Sequence, residues 1–495
     1  MAANSRDKLF LVDAMNLVFR AFFAPMQTAL VSPAGVPTKA VYIFLRTLRK
    51  ILKDHKPTHI AVVFDLAAPT FRDKLFETYK ANRPAFPEDL TVQLPYVRRF
   101  CRALGLPIVE KVGFEADDVI GTLAREGEAQ GFDVLIVTGD EDLFQLVGER
   151  TKVLKPSRGA NEVETLCDTA KVKEILGVAP SEVVDWLALT GDSSDNIPGA
   201  RPLPGKEVPT PDGKRRSYIG PKGATDLIQR FRTLENALAN YDQVERQSYR
   251  DALRDFATEA RLSKDLATIR TDVPLEVHVD DLAPGPVDLP EVTTLSQELG
   301  FTTLLKEFLE QAASAVPASA GVESEELHTA EAVDAWVKHL ESPVAVAMAV
   351  EGEEGFAGRL AALALADKAR VATIPGDVAL GSTALQSLLA DQQRPKAVHN
   401  SKLLRLLLLK SSVELAGVTD DTLLYAFLVE PLASSGLGDL VLRRRGVKVS
   451  GSLAERVVRT REMAALLAPE LEREGVARVY HEIELPLSGV LADVE

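Results

Sequence analysis

Three short apolar runs punctuate the first third of the chain: LFLV (9–12), IAVVF (60–64) and VLIVT (134–138). Each is rich in β-branched residues and shows no polar alternation, as a strand buried on both faces of a parallel sheet does. Between the first two, KAVYIFLRTLRKIL places Val41, Phe44, Leu45, Leu48, Ile51 and Leu52 at helical spacing. Strands alternating with amphipathic helices predict an α/β fold. Residues from about 168 to 280 read as mostly helical, interrupted by the Pro/Gly/basic stretch RPLPGKEVPTPDGKRRS (201–217). A segment rich in Pro, Ala and Ser near 312–322 reads as a linker. After it, VAVAMAV (344–350), LAALALA (360–366) and RVATI (370–374) predict a second α/β domain, with helices to the end.

The chain has 495 residues, too many for one compact core, so two or three domains are expected. No apolar run approaches the roughly 18–20 residues that span a bilayer, and MAANSRDKLFLVD lacks the apolar stretch of a signal peptide. Two cysteines, Cys101 and Cys167, are too few for a disulfide framework. The expected address is the cytoplasm, with no membrane partner. The formal net charge of −15 lowers the expectation of a nucleic-acid partner. A carboxylate-built metal site would add negative charge without opposing DNA once its cations are bound.

The acidic residues are not scattered evenly. Asp13, Asp65 and Asp140 each follow an apolar run, where ligands bind in open parallel sheets. Asp142 follows shortly after. GFEADDVIGTLA opens a helix with Glu115, Asp117 and Asp118 in its first turn, and GDSSDNIPG (191–199) adds Asp192 and Asp195. Individually these have plainer readings. Asp140 or Asp142 suits a helix cap, EADD suits the helix dipole, and SSDN suits a turn. As a set, like charges gathered in one site require cations. Mg²⁺ prefers oxygen ligands, and two such ions about 4 Å apart can activate water against a phosphodiester.

FRDKLFETYKANRP carries Arg72, Lys74, Lys80 and Arg83 around Tyr79. These residues fit phosphate contacts with a stacking ring, but composition alone favours a solvated helix balanced by Asp73 and Glu77. SYIGPKGATDLIQRF (217–231) fits a hairpin whose Gly220, Lys222 and Gly223 approach phosphates, or a simple turn.

LFLVDAMNLVFRAFFA, GVPTKAVYIFLRTL, VVFD, FETYKANRP, GFEADDVIGTLA, TGDEDLFQL and LALTGDSSDNIPG, in that order, resemble the 5′-nuclease domains of the DNA polymerase I family over about residues 7–305. The resemblance implies a PIN-like parallel sheet with a helical arch and a helix–hairpin–helix region, acting on 5′ flaps, nicks and RNA-primed ends in replication and repair. It implies two Mg²⁺ ions, with Mn²⁺ as a substitute, on Asp13, Asp65, Glu115, Asp117, Asp118, Asp140, Asp142, Asp192 and Asp195. Asp13, Asp65, Asp140, Lys80 and Arg83 would act at the cut. Arg20, Arg72, Tyr79, Lys80, Arg83, Gly220, Lys222 and Gly223 would hold DNA, with a K⁺ ion at the hairpin. Tyr218 departs from the family's first hairpin glycine. The insertion, basic through Lys206, Lys214, Arg215 and Arg216, is either a further phosphate contact or an inert loop.

Residues 325–480 resemble, mostly in architecture, the RNase H-like 3′–5′ exonuclease domain of the same family. Ala347 and Ala349 stand where its first-strand Asp and Glu would be, and HNSKLL (399–404) ends in Leu404 where another metal aspartate is expected. Near LAERVVRTRE (453–462) the last motif's aspartate is lacking. An apolar side chain cannot ligate Mg²⁺, so proofreading is expected to be absent. The expected division is a catalytic α/β part at 1–180, a helical DNA-binding part at 181–311, a linker at 312–324 and the exonuclease-like domain at 325–480. Residues 481–495 read as the start of a polymerase domain. The whole is expected to be a monomer of the bacterial cytoplasm, associated with the nucleoid. Two other functions fit parts of the pattern: a PIN-like ribonuclease and a non-enzymatic DNA clamp.

Overall fold

The computed structural model describes residues 7–26, 29–157, 164–203, 218–315, 322–352, 357–431 and 433–494. They form two compact units, Met1–Asp288 and Leu289–Glu495.

The first unit is built on a six-stranded sheet in the order β3-β2-β1-β4-β5-β6. Its strands are β1 (Lys8–Asp13), β2 (His59–Val63), β3 (Ile108–Val109), β4 (Asp133–Val137), β5 (Thr151–Lys155) and β6 (Thr165–Cys167). All pairings are parallel except β5 with β6. The chain runs outward from β1 through β2 to β3, then returns to β4 on the other side of β1. The strand order therefore reverses between β1 and β4, the point where such sheets bind ligands beyond their carboxyl ends.

The two faces of this sheet are covered differently. Leu9, Leu11, Ala61 and Val63 join one core with Val119, Ile120 and Leu123 of the helix Ala116–Gln130. The same core continues into the helical region through Leu187, Ile219, Leu227 and Ile228. Phe10, Val12, Ile60 and Val62 alternate with the first set and are equally buried, so they face the other way. On that side lie the helices Ala14–Phe23, Lys39–His55 and Leu94–Ala103, and the ring of Phe10 sits 5.7 Å from that of His55.

The second unit carries a mixed sheet, β12-β11-β8-β9-β10-β7. Its strands are β7 (Glu325–Glu326), β8 (Val344–Glu351), β9 (Arg359–Ala366), β10 (Val371–Pro375), β11 (Lys396–Val398) and β12 (Val418–Asp421). A central antiparallel β8–β9–β10 meander is flanked by parallel pairs, an RNase H-like arrangement.

Two expected boundaries differ. The catalytic and helical parts of the nuclease, expected at 1–180 and 181–311, share one core. Helices Leu289–Leu299 and Thr302–Ala315 belong to the second unit, because Leu289, Leu305 and Leu309 pack against Leu442. The second of these helices runs to Ala315, into the segment read as a linker from 312. The terminal helix Leu485–Val494 also packs within the second unit, with Asp493 bridged to Arg405 and Ser488 hydrogen-bonded to Ser401. Most of the basic insertion, with Lys206, Lys214, Arg215 and Arg216, lies outside the described residues. No helix among the described residues is long and apolar enough to cross a membrane.

Candidate active site

A cleft of about 1400 Å³ opens beyond the carboxyl ends of β1, β2 and β4. Asp13, Asp65, Glu115, Asp117, Asp140, Asp142, Asp192 and Asp195 all line it, brought together from five separate stretches of chain.

Local structure fixes several of these carboxylates and leaves oxygen to spare. Asp13 ends β1 and caps the next helix, accepting from Asn16 N at 3.0 Å and from Thr138 Oγ1 at 2.7 Å. Asp65 Oδ1 accepts from Ala116 N at 2.9 Å, and Asp140 Oδ1 from Asp142 N at 2.9 Å. Asp192 is held in a closed loop, where its N–H and carbonyl both pair with Ile197. That loop needs glycine at its ends. Gly191 and Gly199 have φ of +67° and +73°, and a Cβ on Gly191 would stand 2.4 Å from Ile197 O.

The electrostatics of the cleft are those of crowded, desolvated carboxylates. Burial, against the help of Asn16 and Thr138, pushes Asp13 up to about 7. Burial also lifts Asp117, Asp140 and Asp142, and neighbouring aspartates lift them further. Groups so placed favour either a proton or a cation.

The segment 76–83 forms the opposing wall. Lys80 Nζ donates to Glu115 Oε1 at 2.6 Å and lies 3.6 Å from Asp195 Oδ2. Arg83 binds Asp195 through Nε at 3.1 Å and through Nη2. Hydrogen bonds to backbone carbonyls fix this wall to the acidic loop: Lys80 N to Asp195 O, Asn82 Nδ2 to Ser193 O and Asn196 Nδ2 to Thr78 O.

Several expected site residues lie elsewhere. Asp118 is fully buried and grips Arg72, which is itself 2% exposed. Neither faces the cleft, so Asp118 is not placed to ligate an ion nor Arg72 to reach DNA. Consecutive helical residues differ by about 100° in direction, which sends Asp117 outward and Asp118 inward. Tyr79 is 6% exposed, and its hydroxyl lies 3.1 Å from Glu115 Oε2 and 3.2 Å from Asp195 Oδ2. Its ring packs with Ile197 and Leu266, so Tyr79 lines the cleft mainly as a partner of these carboxylates. Arg20 lines a smaller neighbouring cavity and donates to the carbonyls of Pro156 and Ser157. At the hairpin, Gly220 precedes the helix Pro221–Phe231 and Lys222 is exposed. Gly223 is buried, and a Cβ there would meet the ring of Tyr249 at 2.5 Å, so this glycine serves packing. Tyr218 packs edge-on against Phe256, their centroids 6.2 Å apart.

Sequence reasoning missed Thr138 and Asn16, which hold Asp13 and Gly139 in place. Their positions beside strand-end aspartates were the available signal.

The eight carboxylates share a cleft rather than a closed cage. Among the described residues no three acidic, histidine or cysteine groups already stand as an ion-holding set. The donors nevertheless fit Mg²⁺: all are oxygens, they are several, and they sit in open space that leaves room for water.

In the second unit, Ala347 is buried with Ala345, Ala364, Ala366 and Ala397 against Val457 and Ala464 of the helix Leu453–Arg473. Asp421 caps the next helix, accepting from Asn400 N, Ser401 N and Leu423 N. Asp420 accepts from Tyr425 Oη.

Three family models match this chain. Residues 8–177 match the 5'-3' exonuclease, N-terminal resolvase-like domain, and residues 217–290 the 5'-3' exonuclease, C-terminal SAM fold. Residues 346–449 match the DNA polymerase I, ribonuclease H-like domain. DNA polymerase I of Bacillus subtilis (strain 168) is 33% identical over 513 residues, covering 99% of this chain and 56% of the relative. The thermostable DNA polymerase I of Thermus filiformis is 36% identical over 490 residues, covering 99% and 52%. The chain thus spans about half the length of these relatives. Among solved structures, the T5 D15 protein co-crystallised with metal ions is 19% identical at a TM-score of 0.41, covering 61% of this chain and 98% of that one. The exonuclease matches fall on the segments that build the cleft and the ribonuclease H-like match follows in order, so the chain carries, in sequence, the 5'-3' exonuclease and ribonuclease H-like domains that it shares with these DNA polymerases I.

Proposed function

We propose that this chain is a structure-selective 5′-nuclease that hydrolyses DNA at 5′ flaps, nicks and RNA-primed 5′ ends. The carrying observation is the convergence of eight carboxylates on one cleft at the sheet's reversal point, faced by Lys80 and Arg83. The matches to 5'-3' exonuclease domains support the same reading.

Asp13, Asp65, Glu115, Asp117, Asp140, Asp142, Asp192 and Asp195 would hold two divalent cations, Mg²⁺ by preference and Mn²⁺ as a substitute. When bound, the ions supply an activated water and neutralise the leaving oxygen. Lys80 and Arg83 exchange their carboxylate partners for the scissile phosphate and bring positive charge to the developing pentavalent centre. Thr138 and Asn16 keep Asp13 oriented. The Gly220–Lys222 turn, at a helix N-terminus, receives duplex phosphates and can take a K⁺ ion. The second unit serves as a spacer without proofreading, its expected metal positions being apolar. Polymerisation belongs to the part of the longer relatives that this chain does not span. The chain acts as a monomer in the bacterial cytoplasm, on nucleoid DNA.

The test is a labelled 5′-flap duplex, a single-stranded RNA and a blunt duplex, each with and without Mg²⁺. Metal-dependent cutting near the flap junction is expected. Cutting of RNA alone would instead mark a PIN-like ribonuclease, and binding without cutting a clamp. A 3′-recessed mismatch should stay untrimmed.

A further inference from the structure

The helix Lys39–His55 is conspicuous for its charge. In a chain of net charge −15 it carries Lys39, Arg46, Arg49, Lys50 and Lys53 against the single acid Asp54. Val41, Phe44, Leu45, Leu48 and Ile51 turn inward, while Arg46, Lys50 and Lys53, at i, i+4 and i+7, stand exposed on the opposite side. Arg46 lies 5.8 Å from the Tyr42 ring centroid, and Lys50 pairs with Glu164 and Asp54. Lys56, just past the helix, is also exposed.

Position gives this stripe a meaning. The helix starts near the cleft, where Lys39 donates to Ala24 O next to the cleft-lining Phe23, and its end meets the start of β1, where Lys8 Nζ donates to His55 O. Its Ile43 and Thr47 line a 400 Å³ cavity shared with Arg20, Lys155 and Gly139, and Gly139 adjoins the cleft residue Asp140. The stripe lies on one face of the sheet, whereas the hairpin at 218–223 is built on the other face through Ile219, Leu227 and Ile228. The carboxylate cleft runs along the edge between them. A DNA junction cut in that cleft has two duplex arms, and only one can rest on the hairpin.

We propose that the Arg46–Lys50–Lys53 face of the helix Lys39–His55 binds the phosphates of the second duplex arm, upstream of the cut. This rests on the 5′-nuclease reading above. The stripe spans about 10 Å along the helix, enough to meet successive phosphates of one strand. Phosphate displaces Asp54 and Glu164 from Lys50, and the contacts carry no base specificity.

The test compares the full chain with Arg46→Glu/Lys53→Glu by fluorescence anisotropy in EDTA. The probes are a three-strand flap DNA and the same DNA lacking the upstream strand. The unaltered chain should bind the three-strand form more tightly. The double variant should lose that advantage, roughly tenfold, keep its affinity for the two-strand form within about twofold, and lower the three-strand salt slope by about two. Arg46→Gln/Lys53→Gln, which removes charge without reversing it, should show the same pattern at a smaller size, with an unchanged thermal midpoint. Equal losses on both probes, no loss on either, or no upstream advantage in the unaltered chain would overturn the proposal. Failure of the unaltered chain to cut a flap in Mg²⁺ would instead overturn the nuclease reading.

Discussion

Arg72 and Asp118 form a two-point salt bridge inside the fold, with Nη1 to Oδ2 at 2.6 Å and Nη2 to Oδ1 at 2.9 Å. Arg72 also donates to Leu266 O and Thr268 O, and Asp118 accepts from Arg270 N and Glu115 N. The pair pins the segment 71–75, the helix Ala116–Gln130 and the stretch 266–270 together. Removing one partner strands a buried charge, so Asp118→Ala or Arg72→Ala should cost about 3–5 kcal/mol in thermal or denaturant unfolding. Asp117→Asn, one residue away, should keep the fold and lose cleavage. Equal stability of Asp118→Ala and the parent would show that the pin carries no load.

Lys80 pairs with Glu115 at the cleft, and the proposed reading gives it a role through charge. Lys80→Ala should slow flap cleavage by about 10²-fold or more at saturating Mg²⁺. Lys80→Arg should restore part of the rate, because a cation remains within reach of the phosphate. Single-turnover rates check both, and an unaffected rate in Lys80→Ala would remove it from the site.

The raised carboxylates predict a pH-dependent need for cations. Burial holds Asp13 at about 7 in the fold against 3.8 otherwise. The folded chain therefore keeps a proton that the unfolded chain has lost. That stabilisation is fully present below the unfolded value and is lost as pH rises through about 7. Without divalent metal, the melting temperature should fall between about pH 4 and about pH 7 and level off above that. The rise on adding Mg²⁺ should be larger at the higher pH, where no proton competes. A pH-independent Mg²⁺ effect would contradict this.

At the hairpin the two glycines should separate cleanly. Gly220→Ala meets nothing within 4 Å and should leave stability unchanged, whereas Gly223→Ala drives a methyl into Tyr249. The second should destabilise by about 1–3 kcal/mol, and Gly223→Ala/Tyr249→Ala should recover part of it. Thermal melts of the three variants decide the matter.

Much of this architecture could be read from the chain. β1, β2 and β4 are continuous apolar runs, and their flanking aspartates fall at the sheet's reversal point because parallel strands all end on one side. β3 is two residues long, β5 reads TKVLK with two lysines among its five residues, and β6 reads TLC, so none stands out as a buried run. Asp118 was misjudged because EADD offers adjacent acids with no sign of which turns inward. The capping-box spacing of Glu115 and Asp118 was the available hint. Arg72 could not be told from Arg83 by composition, since burial beside Leu266 and Thr268 depends on residues nearly two hundred positions away. The membership of Leu289–Ala315 in the second unit likewise rests on a distant contact with Leu442.

Counting bound ions decides whether the eight cleft carboxylates form a metal site. A calorimetric titration of the chain with Mn²⁺ should show two bound ions, and Asp140→Asn should lose at least one while its thermal unfolding stays cooperative. A chain that takes up no divalent ion, or an Asp140→Asn variant that binds two and cuts flaps as fast as the parent, would mean that the cleft is not a two-metal nuclease site.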